Sequence, residues 1–244
     1  MKTAAIIQAR MGSTRLPGKI LKDLMGKTVL QHVIERVQQA KNIDEIIIAT
    51  TTLAQDDVVA DEALKCGANY FRGSENDVLA RYYGAAKENN VDIVVRITSD
   101  CPLIDPFVTD EIIRYFKQDN MYDIVTNAGS DLSKRTFPRG LDTEVFSFQS
   151  LERAYQQADK DYQHEHVTPY IYENSSRIYY YRNSVDYSMF RLTLDTEEDF
   201  ILIKEIYRHL YRGQHDFYLK DIVSLFKEYP DLIKINAHIE QKKL

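Results

Sequence analysis

Residues 3–21 read TAAIIQARMGSTRLPGKIL, and the change of character at Ala9 decides how the rest of the chain is read. Thr3 to Ala9 is a short apolar run, the pattern of a strand buried on both faces. The residues after Ala9 cannot continue it. Gly12, Pro17 and Gly18 lie too close together for a helix, and Pro17 would cost a strand its ladder bonds. The segment is a shaped loop, and it crowds Arg10, Arg15 and Lys19 into ten residues.

Outward from this loop the chain alternates. Residues 28–41 (TVLQHVIERVQQAK) repeat apolar side chains at Val29, Leu30, Val33, Ile34 and Val37, which predicts a helix with Thr28 as N-cap. EIIIATT, residues 45–51, reads as a second buried strand. Next in order are a helix near 55–65, a strand at 69–72, a helix over 77–87 and the strand VDIVVRITSD ending at Asp100. Asp105-Pro106 predicts an N-cap and first-turn proline for a helix to Lys117, and Asp123 to Asn127 a further strand. Such alternation implies right-handed crossovers and a mostly parallel, Rossmann-like α/β sheet flanked by helices. Ligands of these sheets bind at the carboxyl ends of strands. The basic loop and the TSDCP segment carrying Asp100 both belong there.

Past residue 128 the regularity breaks. LDTEVFSF, RIYYYRN and FRLTLD read as strands, Gln149 to Ala158 as a helix, and the stretch up to Pro169 as an interrupted one. The run Tyr179 to Tyr181 reads either as core packing or as an aromatic cover for a pocket or partner. Helices near 197–211 and 218–228 close the chain. With no repeat or linker, residues 1–244 are read as one domain with an inserted β-containing arm at about 129–190.

Composition narrows the function classes. The chain has 244 residues, 44% of them hydrophobic, and a net charge of -6. That charge speaks against a nucleic-acid-binding surface, so the basic loop stands out from an acidic background. Cys66 and Cys101 form no CxxC pair and have no histidine at ligand spacing, so neither a disulfide framework nor a zinc site is indicated. No stretch has the length of a signal peptide's apolar region or of a membrane span, and a cytoplasmic protein is expected.

In the loop, small residues such as Gly12 and Ser13 admit close approach of an anion to backbone N–H groups, and three cations suit a triphosphate. A solvated basic turn is the competing reading. It is not a P-loop: five residues separate Gly12 from Gly18, and Ile20 follows Lys19. MGKT at 25–28 has the right ending, but Leu21 stands where the first glycine belongs, so it reads as a turn and helix cap. No GxGxxG follows a strand, which weakens a dinucleotide-dependent dehydrogenase.

ARMGSTRLPGKIL, LMGKTVLQHVIERV and EIIIATT resemble the start of the sugar-acid cytidylyltransferases, the group that includes acylneuraminate and 3-deoxy-manno-octulosonate cytidylyltransferases. FRGSENDVLARYYGAA, RITSDCPLIDP, PRGLDTEVFS, EHVTPYIY and RLTLDTEEDF look closest to the spore coat polysaccharide biosynthesis branch, SpsF. The resemblance runs through nearly the whole chain. It implies the nucleotide-diphospho-sugar transferase (GT-A-like) fold and a reaction in which a sugar hydroxyl attacks the α-phosphorus of CTP and pyrophosphate leaves.

The same resemblance assigns roles. Arg10 and Lys19 hold the phosphates and, with Asp100, form the catalytic set; Ala9, Gly12 and Ser13 complete the CTP loop. Arg15 either touches phosphate or locks the loop through a carboxylate. Asp100 and Asp195 match the family's magnesium carboxylates, although Asp195-Thr196-Glu197-Glu198 by itself reads as a helix N-cap with an acidic first turn, and Asp199 as structural. Arg72 and Ser74 are candidates for reading cytosine, while Asp77 reads as a helix cap and Arg81 as a surface salt bridge. For the acceptor sugar the candidates are Asp142 and Glu144, which share a face if their segment is a strand, and His166; His164 reads as solvated. Arg135 or Arg139 would meet a sugar carboxylate. The implied partners are CTP, an acid sugar and a second copy through the arm, with neither nucleic acid nor membrane. Two competing readings are a glycosyltransferase, whose usual DxD is missing from TSDCP, and a non-catalytic nucleotide binder, which has little need of two metal carboxylates.

Overall fold

The computed structural model describes residues 1–119 and 121–240. Strand β1 (Thr3–Gln8) leads through the basic loop to a hairpin of β2 (Asp23–Leu24) and β3 (Lys27–Thr28), then α1 (Val29–Val37). Next come β4 (Glu45–Thr51), α2 (Asp57–Lys65), β5 (Asn69–Gly73), α3 (Val78–Glu88), β6 (Ile93–Thr98) and α4 (Pro106–Asp119). The second half holds β7 (Ile124–Thr126), β8 (Glu144–Ser147), α5 (Phe148–Gln157), α6 (Asp161–His166), α7 (Pro169–Asn174), β9 (Ile178–Tyr180), α8 (Glu197–Leu210) and α9 (Leu219–Glu228).

Seven strands form one sheet in the order β5-β4-β1-β6-β8-β7-β9, and only β8 runs against its neighbours. The apolar run of β1 is continuous because both faces are covered. Ala5 and Ile7 pack towards α1 and α4, while Ala4 and Ile6 pack towards α3 and α5. A third cluster joins α8 and α9 to Leu192 and Leu194. Among the described residues no helix is long and apolar enough to cross a membrane.

MGKT is a turn and a cap. Met25 and Gly26 turn the β2–β3 hairpin with φ of 55° and 87°, and the Thr28 hydroxyl accepts from the Gln31 N–H at 3.0 Å. The tyrosine run is core packing: Tyr179 lies 5.2 Å from both Tyr115 and Tyr122, and Tyr181 stacks on Phe137.

Two expected strands need correction. FRLTLD is an extended connection with a single bridge, Arg191 beside Arg139, held by the Leu192 N–H on the Arg139 carbonyl at 2.7 Å and the Leu194 N–H on the Asp100 carbonyl at 2.8 Å. LDTEVFSF becomes a strand only at Glu144, so Asp142 lies in the loop before it. The stretch 129–190 feeds β8 and β9 into the main sheet, and α5 and α6 lie against α3.

Candidate active site

Parallel register brings Gln8, Thr51, Gly73 and Thr98 to one edge of the sheet, and the loops that leave there make the site. The basic loop folds back on itself. The Ser13 and Gly18 N–H groups both donate to the Met11 carbonyl, at 2.8 and 3.2 Å, and the Met11 N–H donates to Asp56 at 2.7 Å. Gly18 makes this return with φ of 65°, a conformation that favours glycine. Leu16 is buried with Leu24 and Val29, which anchors the loop. Lys19 therefore begins a short 3-10 turn with its side chain directed inward.

The Lys19 ammonium sits between two carboxylates. It donates to Asp100 Oδ2 at 2.8 Å, to Asp195 Oδ1 at 2.9 Å and to the Leu194 carbonyl at 2.7 Å. Arg15 lies 3.0 Å from the other oxygen of Asp195, which is the loop-locking arrangement. Arg191 donates to Asp195 and Asp199, each at 2.9 Å. Three carboxylates thus face three cations. Burial pushes the Asp100 carboxyl upward, yet Lys19 and the Thr98 hydroxyl outweigh it and hold it below its ordinary range. Burial likewise pulls Lys19 down, and the two aspartates more than offset this, so it stays charged.

Helix α8 explains why Asp195 is available. Its N-cap is Thr196, with Asp199 reciprocating in a capping box whose carboxylate also accepts the Asp195 N–H at 3.0 Å. The acidic cap read from DTEE exists, but it begins one residue after Asp195. Arg191 escaped the sequence reading because four residues of spacing mean nothing off a helix; only the fold turns it onto Asp195.

The other candidates have their own geometry. Arg10 pairs with Glu75 at 3.0 Å across the cleft, and a side chain on Gly12 would lie 3.5 Å from that same Glu75. Ala9 is buried and extends the ladder, its N–H donating to the Ala49 carbonyl at 3.1 Å. Arg72 donates to the Thr51 and Leu53 carbonyls at 2.8 and 3.0 Å and pairs with Asp57, and the Ser74 hydroxyl accepts the Asp77 N–H. These contacts shape the rim made by β4, β5 and α3. Asp77 caps α3 and also meets the His164 ring at 3.1 Å.

Asp142 and Glu144 do not share a strand face. Asp142 pairs with Arg135 at 2.6 Å, whereas the buried Glu144 is engaged by Arg96 and by the Thr168 and Tyr172 hydroxyls. His166 ends α6, half-buried beside Glu165. Arg81, expected on the helix surface, is 2% exposed.

One His/Glu cluster, His32, Glu35 and His215, lies away from this edge. The Leu24 carbonyl, 2.6 Å from His32 Nε2, can only accept, so Nε2 carries the proton and Nδ1 accepts from His215 Nε2–H at 2.8 Å. His215 turns its other nitrogen to Glu35 at 3.4 Å. With its proton on Nε2, the neutral His215 ring has no hydrogen to give Glu35, so the hydrogen-bond chain is Leu24–His32–His215, tying α1 to the α8–α9 loop. Burial, reinforced by Arg36 and His32, pushes the His215 pKa down to about 3. The unfolded chain takes up this proton as pH falls below about 6.5, and the folded chain only near 3. Stability is therefore present above pH 6.5 and is lost towards pH 3, by about 2 kcal/mol from this residue at pH 5. Urea unfolding of wild type and His215→Gln at pH 7.5 and 5 checks this: the variant is expected to lose less stability on acidification, and equal losses would refute it.

An open, mostly parallel sheet with a cationic loop and two inward carboxylates at its carboxyl edge has the arrangement of a nucleotidyltransferase. The cytidylyltransferase family model matches residues 4–241. Spore coat polysaccharide biosynthesis protein SpsF of Bacillus subtilis is 33% identical over 93% of this chain and 94% of its own. The 3-deoxy-manno-octulosonate cytidylyltransferase of Geotalea uraniireducens is 34% identical, over 49% of this chain and 47% of its own. A solved cytidylyltransferase structure from Leptospira borgpetersenii superposes with a TM-score of 0.90 at 36% identity, covering 100% of this chain and 99% of that one. The chain belongs to the cytidylyltransferase family.

Proposed function

We propose that this enzyme transfers CMP from CTP to a hydroxyl of an acid sugar of the nonulosonic or 3-deoxy-octulosonic class, releasing pyrophosphate, in surface polysaccharide or glycan assembly. The observation that carries the reading is Lys19, held between Asp100 and Asp195 at the root of a loop that also presents Arg10 and Arg15. Transfer of a phosphoryl group is catalysed mainly by positioning and charge stabilisation, and such a loop supplies both.

Two largely enclosed carboxylates turned on one ammonium are hard oxygen donors, a set that fits magnesium. Asp100 and Asp195 would hold the ion, which when bound neutralises charge on the phosphate oxygens. All three Lys19 hydrogens are on Asp100, Asp195 and the Leu194 carbonyl, so reaching a phosphate would mean exchanging one of these acceptors for a phosphate oxygen. Arg10, held by Glu75, and the N–H groups around Gly12 and Ser13 orient the triphosphate. Arg139, which makes no ion pair among the described residues and lies near Arg135, Asp142 and Arg191, suits a sugar carboxylate better than Arg135, already paired to Asp142. The exposed Leu132, Val185 and Met189 support the stretch 129–190 as the contact between two copies.

Pyrophosphate release from CTP with a panel of nonulosonic and 3-deoxy-octulosonic acids is the test. Turnover with at least one of them is expected; no turnover together with no CTP binding overturns the reading.

A further inference from the structure

Arg81 stands apart from the other buried arginines. Arg36 donates to the Ile104 and Phe217 carbonyls, Arg96 to Glu144 and Gln8, and Arg135 to Asp142, so each has only one enclosed nitrogen without a partner. Arg81 has two, Nε and Nη1, both enclosed and both unbonded, and among the described residues its side chain makes no hydrogen bond or ion pair. Burying an unpaired guanidinium is costly, and a stable core does not accumulate such groups without reason.

Its surroundings supply the reason. The groups that act on it electrostatically include Arg10, Asp56 and Glu75, which leave the sheet after β1, β4 and β5 respectively. The guanidinium therefore lies beneath the three loops that converge at the carboxyl edge. Both neighbouring carboxylates are already engaged: Glu75 by Arg10, Asp56 by the Met11 N–H and the Thr51 hydroxyl. The stem is held as well, since a side chain on Gly73 would come within 2.9 Å of Arg81 Cγ. Burial, with Arg10 acting in the same direction, pulls its pKa down, yet a guanidinium starts so high that it stays charged. Two like charges held near each other, one without a counter-ion, form a seat for an anion.

We propose that Arg81 is a nucleotide-binding residue, whose guanidinium joins Arg10 in gripping a phosphate oxygen of the bound CTP. The assignment rests on CTP being the nucleotide substrate and adds a contact from α3 that the basic loop alone does not provide. It also gives Gly73 a role: any larger residue there would push the arginine stem away.

The test compares wild type, Arg81→Gln and Arg81→Lys by calorimetric titration with CTP and by thermal unfolding without ligand. Loss of one charge-assisted contact raises the Kd of Arg81→Gln about 10- to 100-fold. Arg81→Lys, which keeps the charge, recovers part of that loss. The melting temperature of ligand-free Arg81→Gln stays level or rises, because an unpaired buried cation has been removed. CTP affinity unchanged in Arg81→Gln, or equal losses in both variants, overturns the proposal. A lowered melting temperature with affinity retained assigns Arg81 to the framework instead and also overturns it. Wild type that binds no CTP refutes the underlying reading, a result distinct from either.

Discussion

Lys19→Ala is expected to lower kcat/KM for CTP by about 10^3-fold, the upper range for loss of one preorganised charge aimed at a reacting phosphate. The geometry makes the effect larger than that of an ordinary surface lysine. Lys19 is the only bridge among the described residues that touches both Asp100 and Asp195, and it also ties down the Leu194 carbonyl that precedes Asp195. Without it Asp100 loses its one cation among the described residues, while Asp195 keeps Arg15 and Arg191, and the largely enclosed Asp100 carboxylate must take up a proton or move away. Stability is therefore expected to fall as well, by about 3 kcal/mol. Steady-state assays of pyrophosphate release, with circular dichroism to establish that the variant folds, check the prediction. Near-normal turnover in a folded Lys19→Ala would remove this lysine, and the site drawn around it, from the chemistry.

Gly140→Ala is expected to be the most damaging single methyl group. Gly140 has φ of 97°, and an added Cβ would lie 2.4 Å from the Leu192 carbonyl carbon and oxygen and 2.5 Å from the Thr193 nitrogen. Those are backbone atoms, which cannot swing away as a side-chain tip can. Relief requires moving the 191–195 connection, and that connection carries Arg191 and Asp195 and is pinned to Asp100 through Leu194. The overlap and the strained backbone together cost about 3 kcal/mol or more, or a fall in Tm of about 10 °C for a chain of this size. Activity is expected to drop with it. Gly213→Ala is the control: its φ is 90°, but nothing lies within 4 Å of the added Cβ. It carries only the conformational cost, about 1 kcal/mol. If the two variants melt alike, the close approach at Gly140 is not what shapes the site.

Much of the framework is written locally. The switch at Ala9 from apolar run to glycine, proline and cations marks the end of β1, because burial on two faces and ladder bonding tolerate none of those features. Thr28 and Asp105 are legible as caps for the same kind of reason: a side-chain oxygen placed before an apolar period satisfies free N–H groups wherever the helix goes. FRLTLD misleads because alternation of apolar and polar residues describes an extended chain equally well whether or not a neighbour completes the ladder. Here Gly140 brings only one residue close enough to bridge, so the segment is extended without being a strand.

The pairings of charge behave differently. Arg15 had two readings in the sequence, and its place 3.0 Å from Asp195 is set by a residue 180 positions away. Glu144 and Asp142 looked alike as polar residues two apart. One became a buried acceptor for Arg96 and two hydroxyls, and the other the loop partner of Arg135. Arg81 looked like surface charge because an arginine on a helix usually keeps its guanidinium in water; β5 and its glycine enclose it.

By itself, then, the sequence determined the order of the main strands and helices up to about residue 128, the edge at which the basic loop and Asp100 would meet, and through its motifs the family. Those features depend on hydrophobic period, caps and breakers, whose physics acts over a few residues. Which cation answers which carboxylate was decided only by the tertiary structure. An ion pair's energy depends on separation and burial, and both are fixed when residues 19, 100 and 195 are brought to within 3 Å by a sheet that the chain completes far from any of them.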